Sequence, residues 1–322
     1  MAQKSTRKNS TVSNVGMGIL TILLTVVLVA IACWSLKPLP APVNMSNNDT
    51  SINTPAIASV EENTTNETIP TDVEMLPFEL HQIDVGCANA YLIRYDNSTV
   101  FIDGGQSFSW KTVNNYLSKL GITSIDIYIN THWHGDHADN MSKLLETYGH
   151  TATLVYGPSA SPNDKYPVSQ GFYIQFENND SFQLGDVTFT CVGPYEVKNA
   201  GTSNYDSLNI IIQYNDFKVF ITGDYVYDQA IVEHSELTKD VDILQMPHHG
   251  LEPLCMSKTA LEHCNPSLIL VPANSSTPTN KIVRELNMEA TVLNNQSGCI
   301  VIVTYGDDYE VYTGVIASDF EY

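Results

Sequence analysis

Beyond residue 76, short apolar runs broken by polar turns alternate with segments of helical spacing. The pattern predicts a hairpin over 90–95 and 99–102 across Asp96-Asn97, and a second over 209–214 and 217–222 across Asn215-Asp216. Further strands are expected over 125–130, 187–192, 241–246, 267–271, 300–304 and 310–315. Helices are expected over 112–120, where Gly121 stops the run, and over 138–148, 227–234, 257–263 and 281–286. Two blocks of strands, with helices between and after them, suit an α/β fold of two packed sheets covered by helices. No fixed-period repeat is visible.

The first 37 residues read differently. They carry Lys4, Arg7, Lys8 and Lys37 and no acid, and residues 15–32 are uncharged and apolar. With Cys33-Trp34 included, that run is long enough to span a bilayer. The preceding bases place the N-terminus in the cytoplasm and the rest outside. The expected organisation is a cytoplasmic N-terminus over 1–14, a transmembrane helix over 15–35, a disordered extracytoplasmic linker over 36–75 and one folded domain over 76–322. This is a single-pass arrangement at the cell membrane. A cleaved signal peptide is the alternative, although the run is long for one. Ala30-Ile31-Ala32-Cys33 also loosely resembles a lipoprotein cleavage site. All three versions put the domain outside the cytoplasm. The linker is dense in Pro, Ser, Thr, Asn and Glu and cannot build a core. Its Asn-x-Ser/Thr triplets at Asn44, Asn48, Asn63 and Asn66 are potential glycan acceptors.

Charge and cysteine content narrow the function. All 36 acids and 11 of the 15 bases lie beyond residue 37, a balance of −25. Such a surface repels polyanions at long range, and strong non-specific nucleic-acid binding needs Lys and Arg. Five of the six cysteines lie beyond the apolar run, an odd number without the spacing of a zinc-thiolate site. Most read as small buried residues, with a Cys255–Cys264 bridge as the exception.

The densest chemistry is Thr131-His132-Trp133-His134-Gly135-Asp136-His137, three imidazoles and a carboxylate directly after the strand expected at 125–130. Three histidines so close serve no packing purpose. Imidazole and carboxylate donors suit Zn, Mn or Fe, and a metal with an open position activates water. Phe101-Ile102-Asp103-Gly104-Gly105, Phe220-Ile221-Thr222-Gly223-Asp224 and Met246-Pro247-His248-His249-Gly250 each place acids or histidines just after a strand.

Together with the opening segment Leu80-His81-Gln82-Ile83-Asp84-Val85-Gly86-Cys87-Ala88-Asn89-Ala90, these landmarks resemble the metallo-β-lactamase superfamily. They are most similar to its branch typified by the C-terminal domain of ComEC-type DNA-uptake proteins. The resemblance covers residues 76–316 and implies an αββα sandwich. It also implies two metal ions, Zn by default, with His132 and His134 on one and Asp136 and His137 on the other. Asp136 would orient or deprotonate the attacking water, and Asp224 would bridge the two ions. His248 and His249 are both candidates for a further ligand, and His249 is also a candidate catalytic group. Asp103, and more weakly Asp84, would support the ligands from behind.

Two departures stand out. Many members supply a histidine between the cluster and the bridging aspartate, where this chain has only His150, close to the cluster. Asp206 or Asn204, in Ser203-Asn204-Tyr205-Asp206-Ser207-Leu208, could replace it, as could water. In Asn274-Ser275-Ser276-Thr277-Pro278, Thr277 stands where the branch has histidine.

The expectation is a membrane-anchored, extracytoplasmic metal-dependent hydrolase of phosphoester or phosphodiester bonds. Its substrate would be a small molecule or a polymer ester, with nucleic acid disfavoured by charge. The alternative is a non-catalytic surface or DNA-uptake component stabilised by metal.

Overall fold

Alternation along each strand sorts side chains into three apolar layers. In β10 (Phe217–Ile221), Phe217, Val219 and Ile221 face one layer and Phe220 the other. In β2 (Tyr91–Tyr95), Tyr91, Ile93 and Tyr95 face the same inner layer and Leu92 turns outward. Period-two alternation with both faces buried requires cover on both sides. The computed structural model, which describes residues 75–159 and 172–314, supplies it. An eight-stranded sheet and a seven-stranded sheet enclose the inner layer. Helices α1 (Trp110–Lys119), α2 (Gly135–Ala138) and α3 (Met141–Tyr148) cover the first sheet through residues such as Val113, Leu117, Ala138 and Leu144. Helices α4 (Asp228–Glu233), α6 (Lys258–Cys264) and α7 (Thr277–Glu285) cover the second through Ile231, Leu261 and Ile282. A short α5 (Ser235–Thr238) follows α4.

The first sheet has the order β15-β14-β1-β2-β3-β4-β5-β6 and the second β13-β12-β11-β10-β9-β8-β7. The first comprises β1 (Phe78–Gln82), β2, β3 (Ser98–Ile102), β4 (Ile127–Ile129), β5 (Leu154–Gly157), β6 (Phe172–Gln175), β14 (Ile300–Thr304) and β15 (Tyr309–Thr313). The second comprises β7 (Ser181–Leu184), β8 (Val187–Gly193), β9 (Asn209–Tyr214), β10, β11 (Ile243–Gln245), β12 (Leu268–Val271) and β13 (Thr291–Asn294). In the first, β14, β1, β2 and β3 pair antiparallel, and β3 through β6 pair parallel. In the second, β7 through β10 pair antiparallel and β10 through β13 parallel. The two sheets therefore share one topology, with β15 added to the first. Strands β3 and β4 in one correspond to β10 and β11 in the other, and the landmark motifs lie at the carboxyl ends of these four. Open α/β sheets place their ligand sites at such ends.

Both hairpins form across the expected turns, where Asp96 and Asn215 take positive φ. The helix expected over 138–148 is instead two, α2 and α3. Between them the buried Asn140 amide donates to the Gly104 and Gln106 carbonyls at 2.9 and 2.7 Å, fastening this point to the turn after β3. The helix expected at 281 begins at Thr277, with Pro278 in its first turn. Strands β5, β6, β7 and β13 went unanticipated. Each is only four residues long, and β6, β7 and β13 are edge strands of mixed exposure. Cys255 and Cys264 are both free: Cys264 is the buried last residue of α6, and Cys255 lies in the loop before that helix. The expected transmembrane helix and linker lie outside the described residues. Among the described residues, no helix is long and apolar enough to cross a membrane.

A buried amide locks the two central parallel strands of the second sheet at their carboxyl ends. Gln245 accepts from the Thr222 N–H at 2.9 Å and donates to the carbonyls of Gly223 and Met246 at 2.9 and 2.7 Å. Gln245→Leu keeps the bulk and removes every one of these bonds. Because each buried group left unpaired costs about 1–3 kcal/mol, the variant should lose about 2–4 kcal/mol of stability. Urea unfolding checks this, and a parental midpoint would contradict it.

Candidate metal centre

Asp103 leaves β3 with φ 56°, a left-handed conformation open to short polar residues. Its Oδ1 accepts from the Thr131 N–H at 2.8 Å, and its Oδ2 lies 2.7 Å from His137 Nδ1. The Thr131 hydroxyl donates to the same carboxylate and lies 3.3 Å from Nδ1 of both His132 and His137. Ser207 adds its Oγ at 3.4 Å from His132 Nδ1 and accepts from the Asp224 N–H at 2.9 Å. The Nδ1 sides of both buried imidazoles are thus engaged from behind, which aims their Nε2 atoms at Asp224. Such outer partners fix ring orientation and tautomer in metal sites. Gly223, at φ 59°, lets β10 end this close. A Cβ there would stand 2.8 Å from that of Ser207 and 3.1 Å from that of Thr131.

Asp224 is buried between the two groups of donors. Its Oδ2 lies 3.6 Å from His132 Nε2, and its Oδ1 lies 3.1 Å from His137 Nε2 and 3.7 Å from His249 Nε2. Asp136 Oδ2 lies 3.1 Å from His249 Nε2. Ligand atoms of His132, His134 and Asp224 fall within 4.8 Å of one another, as do those of Asp136, His137, Asp224 and His249. Asp224 is common to both sets. His132 Nε2, His137 Nε2 and Asp224 Oδ1 are buried without hydrogen-bond partners. Buried polar atoms are normally paired. Lone pairs converging in this way, on imidazole and carboxylate, fit divalent transition metals.

The electrostatics are those of a cation site. Burial opposes charge on His137, but Asp224 and Asp103 outweigh it and hold the imidazole well above its ordinary range. Burial and the neighbouring His137 push His132 well below. Burial would raise both carboxyls, and the histidines outweigh it. Asp136 comes down to about 2, chiefly through its bond with His249, and Asp224 falls well below the usual carboxylate range beside His137.

Of the two histidines after β11, only His249 joins a donor set; His248 does not. The segment that carries them is not extended. His248 and His249 lie at φ 52° and 54°, and Gly250 follows at 67°. Left-handed backbone costs about 1–2 kcal/mol per non-glycine residue, strain of the kind functional sites retain. Asp206 is not a replacement ligand. It is fully buried and accepts from the backbone N–H groups of Lys198, Asn199 and Gly201, stapling that loop. Gly201 in turn accepts from the Trp133 N–H, tying the loop to the ligand segment. Asn204 lies beside His134 and outside both donor sets. Asp84 accepts from the Gly86 N–H at 3.1 Å and closes a turn. His150 is half exposed, 3.6 Å from Asp126, and Thr277 is exposed at the start of α7. Sequence reasoning missed Thr131, Ser207 and Gln245, which ordinary hydroxyl and amide side chains do not advertise.

A family model described as the metallo-beta-lactamase superfamily matches residues 83–270. Over 166 residues the chain is 27% identical to a ribonuclease Z of Clostridium tetani, covering 51% of this chain and 47% of that protein. Over 84 residues it is 26% identical to an atrochrysone carboxyl ACP thioesterase of Aspergillus terreus, covering 26% of each. The chain thus spans about half, or less, of the length of these curated relatives. Among solved structures, the metallo-beta-lactamase fold protein YhfI from Bacillus subtilis is similar with a TM-score of 0.52. The identity is 14%, over 74% of this chain and 100% of that one, a likeness of fold. The homologues are hydrolases of this fold, and the fold binds divalent metals, which the two donor sets suit. With the matched region running from the end of β1 through the ligand loops to β12, the chain belongs to the metallo-beta-lactamase superfamily.

Proposed function

We propose that this chain is a metal-dependent hydrolase of phosphoester or phosphodiester bonds that uses two zinc ions. The observation that carries the reading is the pair of donor sets sharing Asp224, one of four residues and one of only three. A structural site closes its coordination shell, whereas a catalytic site offers three protein ligands and keeps a position for water or substrate. His132, His134 and Asp224 make such a three-donor set. The likeness to a ribonuclease Z over 51% of the chain supports a phosphoester, as does the resemblance of the motifs to the ComEC-like branch. The balance of −25 beyond residue 37 weighs against a long polyanion and favours a small substrate.

Divalent metals held here would supply an acidified water and neutralise charge on the reacting ester. The chain's own residues do the rest. Asp136 stays ionised and lies beside His249 at the edge of the donor set, which makes its carboxylate the group to orient the attacking water and take its proton. Asp103 and Thr131 keep His137 turned toward Asp224. Burial of His132, His137 and Asp224 keeps bulk water from behind the ligands.

Anchoring at the membrane, with the domain outside, is supported by the bases and apolar run of residues 1–37. Protease added to intact cells should degrade the domain while cytoplasmic controls survive. Full protection until lysis would overturn this placement.

Elemental analysis tests the metal assignment. His132→Ala with His134→Ala should remove most of one ion, and Asp224→Ala should weaken both. Bound metal should also fall as the pH is lowered. His137, held protonated by its carboxylate neighbours, must lose that proton to ligate, so acid opposes binding and rising pH favours it. Metal content equal to the parent's in all variants would refute the assignment. Asp136→Asn keeps the shape and loses the proton acceptor. Turnover of an activated phosphodiester should drop by ~10²–10⁴, the usual worth of a positioned base. Near-parental turnover would remove Asp136 from the mechanism.

A further inference from the structure

The loop between β1 and β2 borders the metal centre and is bonded to both halves of the molecule. From the second sheet, the Pro272 carbonyl after β12 accepts from the Ala88 N–H at 3.3 Å, and the Asn295 amide after β13 donates to the Gly86 carbonyl. From the first, the Gln106 amide donates to the Cys87 carbonyl at 3.3 Å. Asn89 closes the loop. Its backbone N–H donates to the Asp136 carbonyl at 3.1 Å, and its side-chain Nδ2 donates to Asp103 Oδ2 at 3.4 Å. That oxygen also lies 2.7 Å from His137 Nδ1 and accepts from the Thr131 hydroxyl at 2.8 Å. Asn89 is fully buried, yet only its donor end is used, because Oδ1 has no hydrogen-bond partner. A buried acceptor left unpaired weakens a fold. Leucine has nearly the same shape and no such cost, so packing alone does not account for an amide at this position.

We infer that Asn89 is a positioning residue for the ion of the four-donor set, Asp136, His137, Asp224 and His249. The inference rests on the two-ion reading and says what supports one ion and leaves the other alone. The side chain acts through Asp103. Thr131, after β4, bonds that carboxylate, and Asn89 bonds it from the β1–β2 loop, so Oδ2 stays turned to His137 Nδ1. His137 Nε2 then stays turned to Asp224. His132 depends on other groups, since its Nδ1 faces Thr131 and Ser207. The bond from the Asn89 N–H to the Asp136 carbonyl survives any substitution except proline. Side-chain variants therefore probe the His137 arm by itself.

Metal affinity read ion by ion, beside the stability of the metal-free chain, tests this. Zinc affinities come from chelator competition on the full chain, and the visible bands of the cobalt(II)-loaded chain report its coordination. Asn89→Leu removes the donor and the unpaired acceptor and keeps the bulk. It should weaken one of the two ions on the order of ten-fold, the low end of what losing an outer partner costs. It should also shift part of the cobalt spectrum and leave the metal-free urea midpoint at or above the parent's. Asn89→Ala should weaken the same ion by a similar factor and lower the midpoint, because it leaves a cavity. In the chain carrying His132→Ala and His134→Ala, the remaining ion should weaken on the order of ten-fold when Asn89→Leu is added. Two tight ions in the parent and in both Asn89 variants would overturn the inference and leave the two-ion reading standing. Both ions weakened alike, with a lowered midpoint in Asn89→Leu, would mark a packing role and overturn it as well. A parent that binds no second ion would sink the two-ion reading and the inference with it.

Discussion

Asp224 is the constraint on which the rest of the molecule turns. A carboxylate this buried is costly unless cationic partners compensate it. Its partners here are imidazoles whose Nε2 atoms approach at 3.1–3.7 Å, and two of those atoms have no hydrogen-bond partner. A proton on His137 meets part of the demand and lies well within reach, given how far the carboxylates raise that group. Divalent cations would meet the rest, since Asp224 and the facing imidazoles of the two donor sets would offer them lone pairs. The same groups that make the site expensive without metal therefore make it selective for metal.

Keeping those lone pairs aimed inward takes more residues than the ligands themselves. Asp103, Thr131 and Ser207 hold the far sides of His137 and His132, and Gln245 fixes the turn that carries Asp224. Each sits at or just after the end of β3, β4, β10 or β11, or just before β9. The repeated sheet topology explains the convergence. Each half ends its antiparallel part and begins its parallel part at one strand, β3 or β10, and the parallel neighbour, β4 or β11, carries histidines at its end. Packing two such halves face to face brings four carboxyl ends together, and the ligands come from both sheets. The repeat went unseen in the sequence because it lies in strand pairing and has no residue period.

Much of this was legible in the residues. The hairpins followed from turn chemistry at Asp96 and Asn215, and the helix after Gly105 from apolar spacing and Gly121. The cluster at His132 to His137 was visible because its donors are adjacent in the chain. Asp103 and Asp224 showed as acids after apolar strands. The choice between His248 and His249 was not visible, since it depends on successive left-handed residues that no local pattern announces. Asp206 looked like a ligand because an acid stood where an imidazole was expected. Its carboxylate is instead consumed by three backbone N–H groups, a demand that exists only once the 198–201 loop is folded. Strands β5, β6, β7 and β13 hid because four residues are too few to show a period, and only their pairing with neighbouring strands fixes them as strands.

The missing middle histidine ties these strands of argument together. The segment from Ser203 to Ser207 occupies its place in the chain and contributes no ligand, so the first donor set has three members. Each residue there has another task. Ser207 steadies His132 and the turn of Asp224, and Asp206 fastens the loop that is bonded to Trp133, between the two ligand histidines. Asn204 and Tyr205 line a cleft that His134 also borders. The buried polar groups of the segment are thus spent on holding the ligand histidines and the loop in place, which leaves His132, His134 and Asp224 as a three-donor set.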